Sequence, residues 1–257
     1  MKIKLSSALL LSSLSLTACA FTPAERAEQV KANEQILAEL GLPLPKSGIQ
    51  IVPRSQLGLP EEFLKQGLSE IKQRESLGYA EKVDPYIAEL LAMKSTATHD
   101  IKLYASNQNA SSTHLRKSVQ DLKLAFEFPG TESKGKLQYA PGVQPLGAAP
   151  QGSYDPEKGW SGALNFFAYR NLAVCVYGVM NVEASGTAAM LAVEDVTYEV
   201  NDKPTLIKVD GKRSYGFLYK VEWFDAVNFH ELQCATQNYS DEIKGAVIQL
   251  AKNLDKQ

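Results

Sequence analysis

Histidine and cysteine, three residues of each, carry most of the reactive chemistry this chain offers. His99, His114 or His230 could act as a general base, as could a carboxylate whose pKa is raised by burial. Their surroundings in the sequence build no catalytic constellation. His230-Glu231-Leu232-Gln233-Cys234 opens like the zinc-protease helix but lacks its second histidine. The same stretch reads as a strand on which His230 and Cys234 could share a face, but a disulfide explains the cysteine better, so no metal site is expected there. Gly159-Trp160-Ser161-Gly162-Ala163 departs from the G-x-S-x-G nucleophile pattern at its last position. No phosphate-cradling glycine loop occurs. His99-Asp100 and Glu194-Asp195 pair acid-base groups as neighbours, but adjacent strand residues point to opposite faces. No catalytic residue, metal ligand or cofactor is therefore assigned.

One cysteine stands in a context with specific chemistry. Lys2 and Lys4 form a positive start, and Leu5 to Leu16 is an apolar, serine-rich run of about a dozen residues. A membrane-spanning helix needs about twenty, so the run fits a cleaved leader. Leu16-Thr17-Ala18-Cys19 resembles the lipobox of bacterial lipoproteins, with small residues before a cysteine whose thiol takes up a diacylglyceryl group. The resemblance covers only these first residues. It implies export, cleavage before Cys19 and a membrane anchor of two or three acyl chains. A single chain holds a protein only marginally, at about 0.8 kcal/mol per buried methylene, whereas several hold it firmly. In Gram-negative lipoproteins an aspartate after the cysteine favours inner-membrane retention. Ala20 and Phe21 follow here, so the resemblance implies the outer membrane if the source is Gram-negative.

Cleavage removes 18 of 257 residues, among them only two charges, Lys2 and Lys4, and so moves the formal net charge from −2 to −4. No basic excess remains to attract nucleic acid. Acylation of Cys19 leaves Cys175 and Cys234 in an oxidising compartment, where they are expected to pair. Two free buried thiols, or a metal pair, are the alternatives. The bridge closes a loop of about 60 residues, for about 4 kcal/mol by chain entropy.

The elements that must position these groups change character along the chain. Thr22-Pro23-Ala24-Glu25 opens a capped helix to about Leu40. Ile49 to Val52 reads as a short strand, and helices are expected from near Pro60 to Gly78 and from Asp84-Pro85 through Met93. Phe63, Leu64, Leu68, Ile71 and Leu77 form the apolar side of the first of these two. Ile101 and Leu103 alternate with polar neighbours, then Asn107 to Ser112 is a polar turn. Leu122, Leu124, Phe126 and Phe128 read as a half-buried strand. Pro129 to Gly159 holds five prolines and six glycines and reads as a long loop. With Tyr139, Tyr154 and Trp160 in it or at its edge, the segment 129–160 is the candidate binding loop. Leu164 to Val182 is apolar on both faces except at Arg170-Asn171, which implies two covered strands and a turn. Strands follow at 196–200, 205–209, 215–224 and 228–236, with Asp210-Gly211 as a hairpin turn. In the longest strand, Phe217, Tyr219, Val221 and Trp223 share a face. Ser240 caps a last helix whose Ile243, Val247, Leu250 and Leu254 form one stripe with Ala246 and Ala251.

The expected fold is α+β: an antiparallel meander with a packed C-terminal helix, preceded by a mainly helical region. The divisions are 1–18 leader, 19–95 lipid-anchored helical region and 96–257 α+β domain. The expected function is a non-catalytic binding or structural component of the cell envelope, held to the membrane by its lipid and meeting an envelope protein or small ligand. The alternative is a periplasmic or surface hydrolase of cell-wall or lipid material, built on a histidine and carboxylates gathered by folding.

Overall fold

A computed structural model describes residues 48–94, 115–129, 141–186 and 188–256. The leader, Cys19, the helix expected at 22–40, the strand and turn at 101–112, His99, His114 and Tyr139 lie outside the described residues. The elements in chain order are β1 (Gly48–Val52), α1 (Glu61–Leu77), β2 (Ala80–Glu81), α2 (Pro85–Met93), β3 (Val143–Asp155), β4 (Gly159–Tyr169), β5 (Ala173–Asn181), α3 (Val182–Ser185), β6 (Ala188–Ala192), β7 (Tyr198–Val200), β8 (Lys203–Lys212), β9 (Gly216–Phe224), β10 (Asn228–Thr236) and α4 (Asp241–Asp255). The fold is mixed α+β, dominated by an antiparallel sheet, and ends in the expected helix.

The main sheet runs β2-β8-β9-β10-β5-β4-β3, with β7 beside β8. It consists of two three-stranded meanders, β3-β4-β5 and β8-β9-β10, joined where β5 pairs antiparallel with β10. The single run of neighbours expected from the sequence is therefore broken between β5 and β8, where the chain crosses to the far side. Positive φ at Arg170 and Asn171 makes the tight β4–β5 turn, and Asn201 and Asp202 make the β7–β8 turn in the same way. The expected turn at Asp210-Gly211 is not one. Both residues lie within β8, and the chain reverses at 213–215. Asp210 instead takes the Arg74 guanidinium of α1.

Alternation along the strands puts a core on each face. On one, Phe217, Tyr219, Val221 and Trp223 of β9 meet Val247, Leu250, Ala251 and Leu254 of α4. Ser240 caps α4 by accepting from the Ile243 N–H. On the other, Leu218, Val176 and Phe166 meet Ile87, Leu90 and Met93 of α2. Asp84 caps α2, accepting from the Tyr86 N–H with Pro85 at the first helical position. Because α2 closes this core, and β1 and β2 pair with β6 and β8, residues 48–94 pack as part of the same body. The division placed at residue 95 is not a packing boundary among the described residues. Helix α1 corrects a second expectation: it has no buried residue, and Leu68 and Leu77 are about half exposed. Polar groups hold it, with Arg74 on Asp210 and the Gln73 amide oxygen accepting from the Glu81 N–H.

Candidate functional site

The described part of the 129–160 segment is not a long loop. Residues 143–155 form β3, thirteen residues on the edge of the sheet, paired with β4 from Val143 to Asp155 apart from two irregularities. Proline and glycine mislead here for a physical reason. An edge strand tolerates Pro145 and Pro150, and register shifts between Pro145 and Gly147 and between Gln151 and Tyr154 accommodate the irregular backbone. Tyr154 and Trp160 face each other across the end of this hairpin, ring centroids 5.0 Å apart. The stretch read as a strand at 122–128 is a brace for that end. It forms no strand, only a bridge between Leu124 and Trp160, with Trp160 N–H donating to Lys123 and Ala125 N–H to Trp160. Leu122, Leu124 and Phe126 still pack on the core, which is why they alternate. Gly159 permits the approach: a Cβ there would lie 2.3 Å from the Lys123 carbonyl oxygen. Removing the middle of this segment would remove a strand, so it is not a dispensable contact loop.

Cys175 and Cys234 form a disulfide. They are register partners on β5 and β10, so the bridge crosses the junction of the two meanders and is fully buried there. The Ser161 hydroxyl of the failed nucleophile pattern is also buried, bonded to the Ser153 backbone N–H at 2.9 Å. Glu194 and Asp195 both hold Arg54, one through its backbone N–H and the other through its guanidinium, and so fasten the β1–β6 pair.

His230 sits in a chain of polar groups with the order of a general-base relay. Its Nε2 lies 3.0 Å from the Asp225 carboxylate and its Nδ1 2.9 Å from the Tyr177 hydroxyl. Burial opposes ionisation of Asp225. Hydrogen bonds from His230 and from the Val227 and Asn228 N–H groups outweigh it and hold the carboxyl well below the usual range. An ionised carboxylate only accepts, so Nε2–H donates to it and Nδ1 accepts a hydrogen bond from the Tyr177 hydroxyl. Burial, with Asp255 and Asp225 nearby, pushes the Tyr177 phenol well up. The ring of His230 stacks on Trp223, whose N–H donates to Asp255 at 2.7 Å, and Lys203 joins Asp255 at 2.6 Å. His230 is 2% exposed and Tyr177 is fully buried, so no substrate atom reaches either. The relay order serves to pin β5, β9, β10 and the end of α4 together.

A cleft of about 410 Å³ opens at the opposite end of the sheet from the β9–β10 turn. Three chain segments converge on it: the C-terminal end of α2, the β4–β5 turn and the link from β10 to α4. Leu91, Val174 and Ile243 supply apolar floor, while Lys94, Asn171, Gln237 and Asn238 supply the polar wall. The Lys94 ammonium donates to the Asn171 side-chain oxygen at 3.3 Å. The volume falls in the range of small-ligand pockets, and an apolar floor with a few polar groups is their usual lining. The sequence marked none of these residues as a site. The legible part of the signal was Arg170-Asn171 as a turn and Thr236 as the end of a strand; that α2 ends beside both is a product of folding. Among the described residues, no group of three or more histidine, cysteine or acidic side chains is placed to hold a metal ion. No described helix is long and apolar enough to cross a membrane.

No family model, curated protein or solved structure matches this chain.

Proposed function

We propose that this protein is a lipid-anchored, non-catalytic binding component of the bacterial cell envelope, acylated at Cys19 and, if the source is Gram-negative, held on the outer membrane. The observation that carries the binding role is the cleft lined by α2, the β4–β5 turn and the β10–α4 link. Its setting supports the reading. The strands that frame it are joined by the Cys175–Cys234 bridge, and both sheet faces are packed, so the cleft has rigid walls. The lipobox-like Leu16 to Cys19 stretch supports the anchor. The binding surface moves accordingly from the 129–160 segment to the far end of the same sheet. The hydrolase alternative loses its described histidine, since both ring nitrogens of His230 are engaged inside the core.

Affinity capture from native envelopes tests this reading, comparing the natural protein with Leu172→Trp. Leu172 lines the cleft from the turn and is 47% exposed, so an indole there fills the cleft without entering the core. A partner or ligand retained by the natural protein and lost from the variant is the expected result. Equal capture by both would remove the cleft from the account.

A further inference from the structure

The cleft's lining also carries information about what enters it, and the following rests on the cleft being the binding site. We propose that it takes the carboxyl-terminal end of a peptide, or a peptide-like acid, with an aliphatic side chain. Among the described residues of the lining Lys94 is the only formally charged one, which matches the cleft to one negative charge. Its ammonium is held on the wall by the Asn171 oxygen, which places the charge beside the cleft. Asn171, Gln237 and Asn238 present side-chain amides, and each amide offers donors and an acceptor together. That combination is the complement of a peptide group, which also carries one of each. Leu91, Val174 and Ile243 give an aliphatic floor of branched side chains. Among the described residues no aromatic ring lines the cleft, so they offer a flat base no stacking surface. The volume of about 410 Å³ suits the last few residues of a chain, not a folded surface.

The probes are acetyl-leucine, which mimics a chain end, and acetyl-leucinamide, in which a neutral amide of similar size replaces the carboxylate. Binding is read by saturation-transfer NMR on the detergent-solubilised full chain. Acetyl-leucine is expected to saturate, with the amide at least tenfold weaker and the preference reduced by added salt. Lys94→Gln should erase the preference, and Leu172→Trp should block both probes. Equal binding of acid and amide, an unchanged preference in Lys94→Gln, or no saturable binding overturns the ligand class. If the probes fail while envelope capture still depends on Leu172, only the ligand class falls. If capture is also indifferent to Leu172→Trp, the cleft falls with it.

Discussion

Replacing both bridging cysteines with alanine should cost this fold about 4 kcal/mol. The figure follows from where the bridge lies. Cys175 and Cys234 are 59 residues apart in sequence, and the loop they close contains the whole second meander up to β10. Loop-closure entropy for that length comes to roughly 14 cal/mol/K, hence about 4 kcal/mol at 25 °C. For a chain of this size, each kcal/mol shifts Tm by about 2–4 °C, so a fall of roughly 8–16 °C is expected. The bridge is buried among β5, β9 and α4, so the two alanines leave little strain behind and the loss acts mainly through the unfolded state. Urea denaturation of oxidised natural protein and the double variant measures the difference. The m value should rise in the variant, because an uncrosslinked chain exposes more surface. A variant within 1 kcal/mol of the oxidised protein, with an unchanged m value, would refute the assignment of the bridge as the brace between the two meanders.

Other expectations concern buried polar groups. Burial, with Glu222 directly across from it on β9, pushes the Glu231 carboxyl up to about 7. A carboxyl raised in the folded state favours the protonated form, so stability should fall as pH rises from about 4.5 to 7, by roughly 3 kcal/mol. Glu231→Gln should flatten that fall and be the more stable protein at pH 8; parallel urea titrations at pH 5 and pH 8 check it. His230→Leu strands the buried Tyr177 hydroxyl and removes one of several donors to the Asp225 carboxylate, and should cost about 2 kcal/mol by chemical denaturation. Gly159→Ala places a Cβ against the Lys123 carbonyl at a positive φ, and should cost at least about 2 kcal/mol while loosening the Tyr154–Trp160 end in hydrogen exchange.

Periodicity made much of the framework legible. The stripe of α4, the one-sided aromatics of β9 and the two-sided apolar run through β4 and β5 each state which neighbours they must have, and each packs accordingly. The turn at Asn201-Asp202 falls in the gap between the strands expected at 196–200 and 205–209, although β7 before it is only three residues long. Asp210-Gly211 looked like a turn because the pair favours one. There a tertiary ion pair to Arg74 and close backbone contact with Phe217 override local preference. The proline- and glycine-rich β3 was hidden because edge strands obey looser rules than central ones. The cleft could not be seen at all from sequence, since its walls come from segments some 80 and 60 residues apart that carry no motif. The sequence offers His230 as a candidate general base but carries no sign of its partners Tyr177 and Asp225. Only strand register brings Tyr177 beside the β10 ring.

The lipid anchor is the claim on which location, orientation and partners depend, and an intact mass of the amino terminus tests it most directly. The full chain, produced in a bacterial host and recovered from the membrane fraction, is expected to begin at Cys19 and to carry acyl mass on that residue, with Cys19→Ala abolishing both the processing and the membrane association. A leader still attached to soluble intracellular protein, with an unmodified thiol at position 19, would contradict the account.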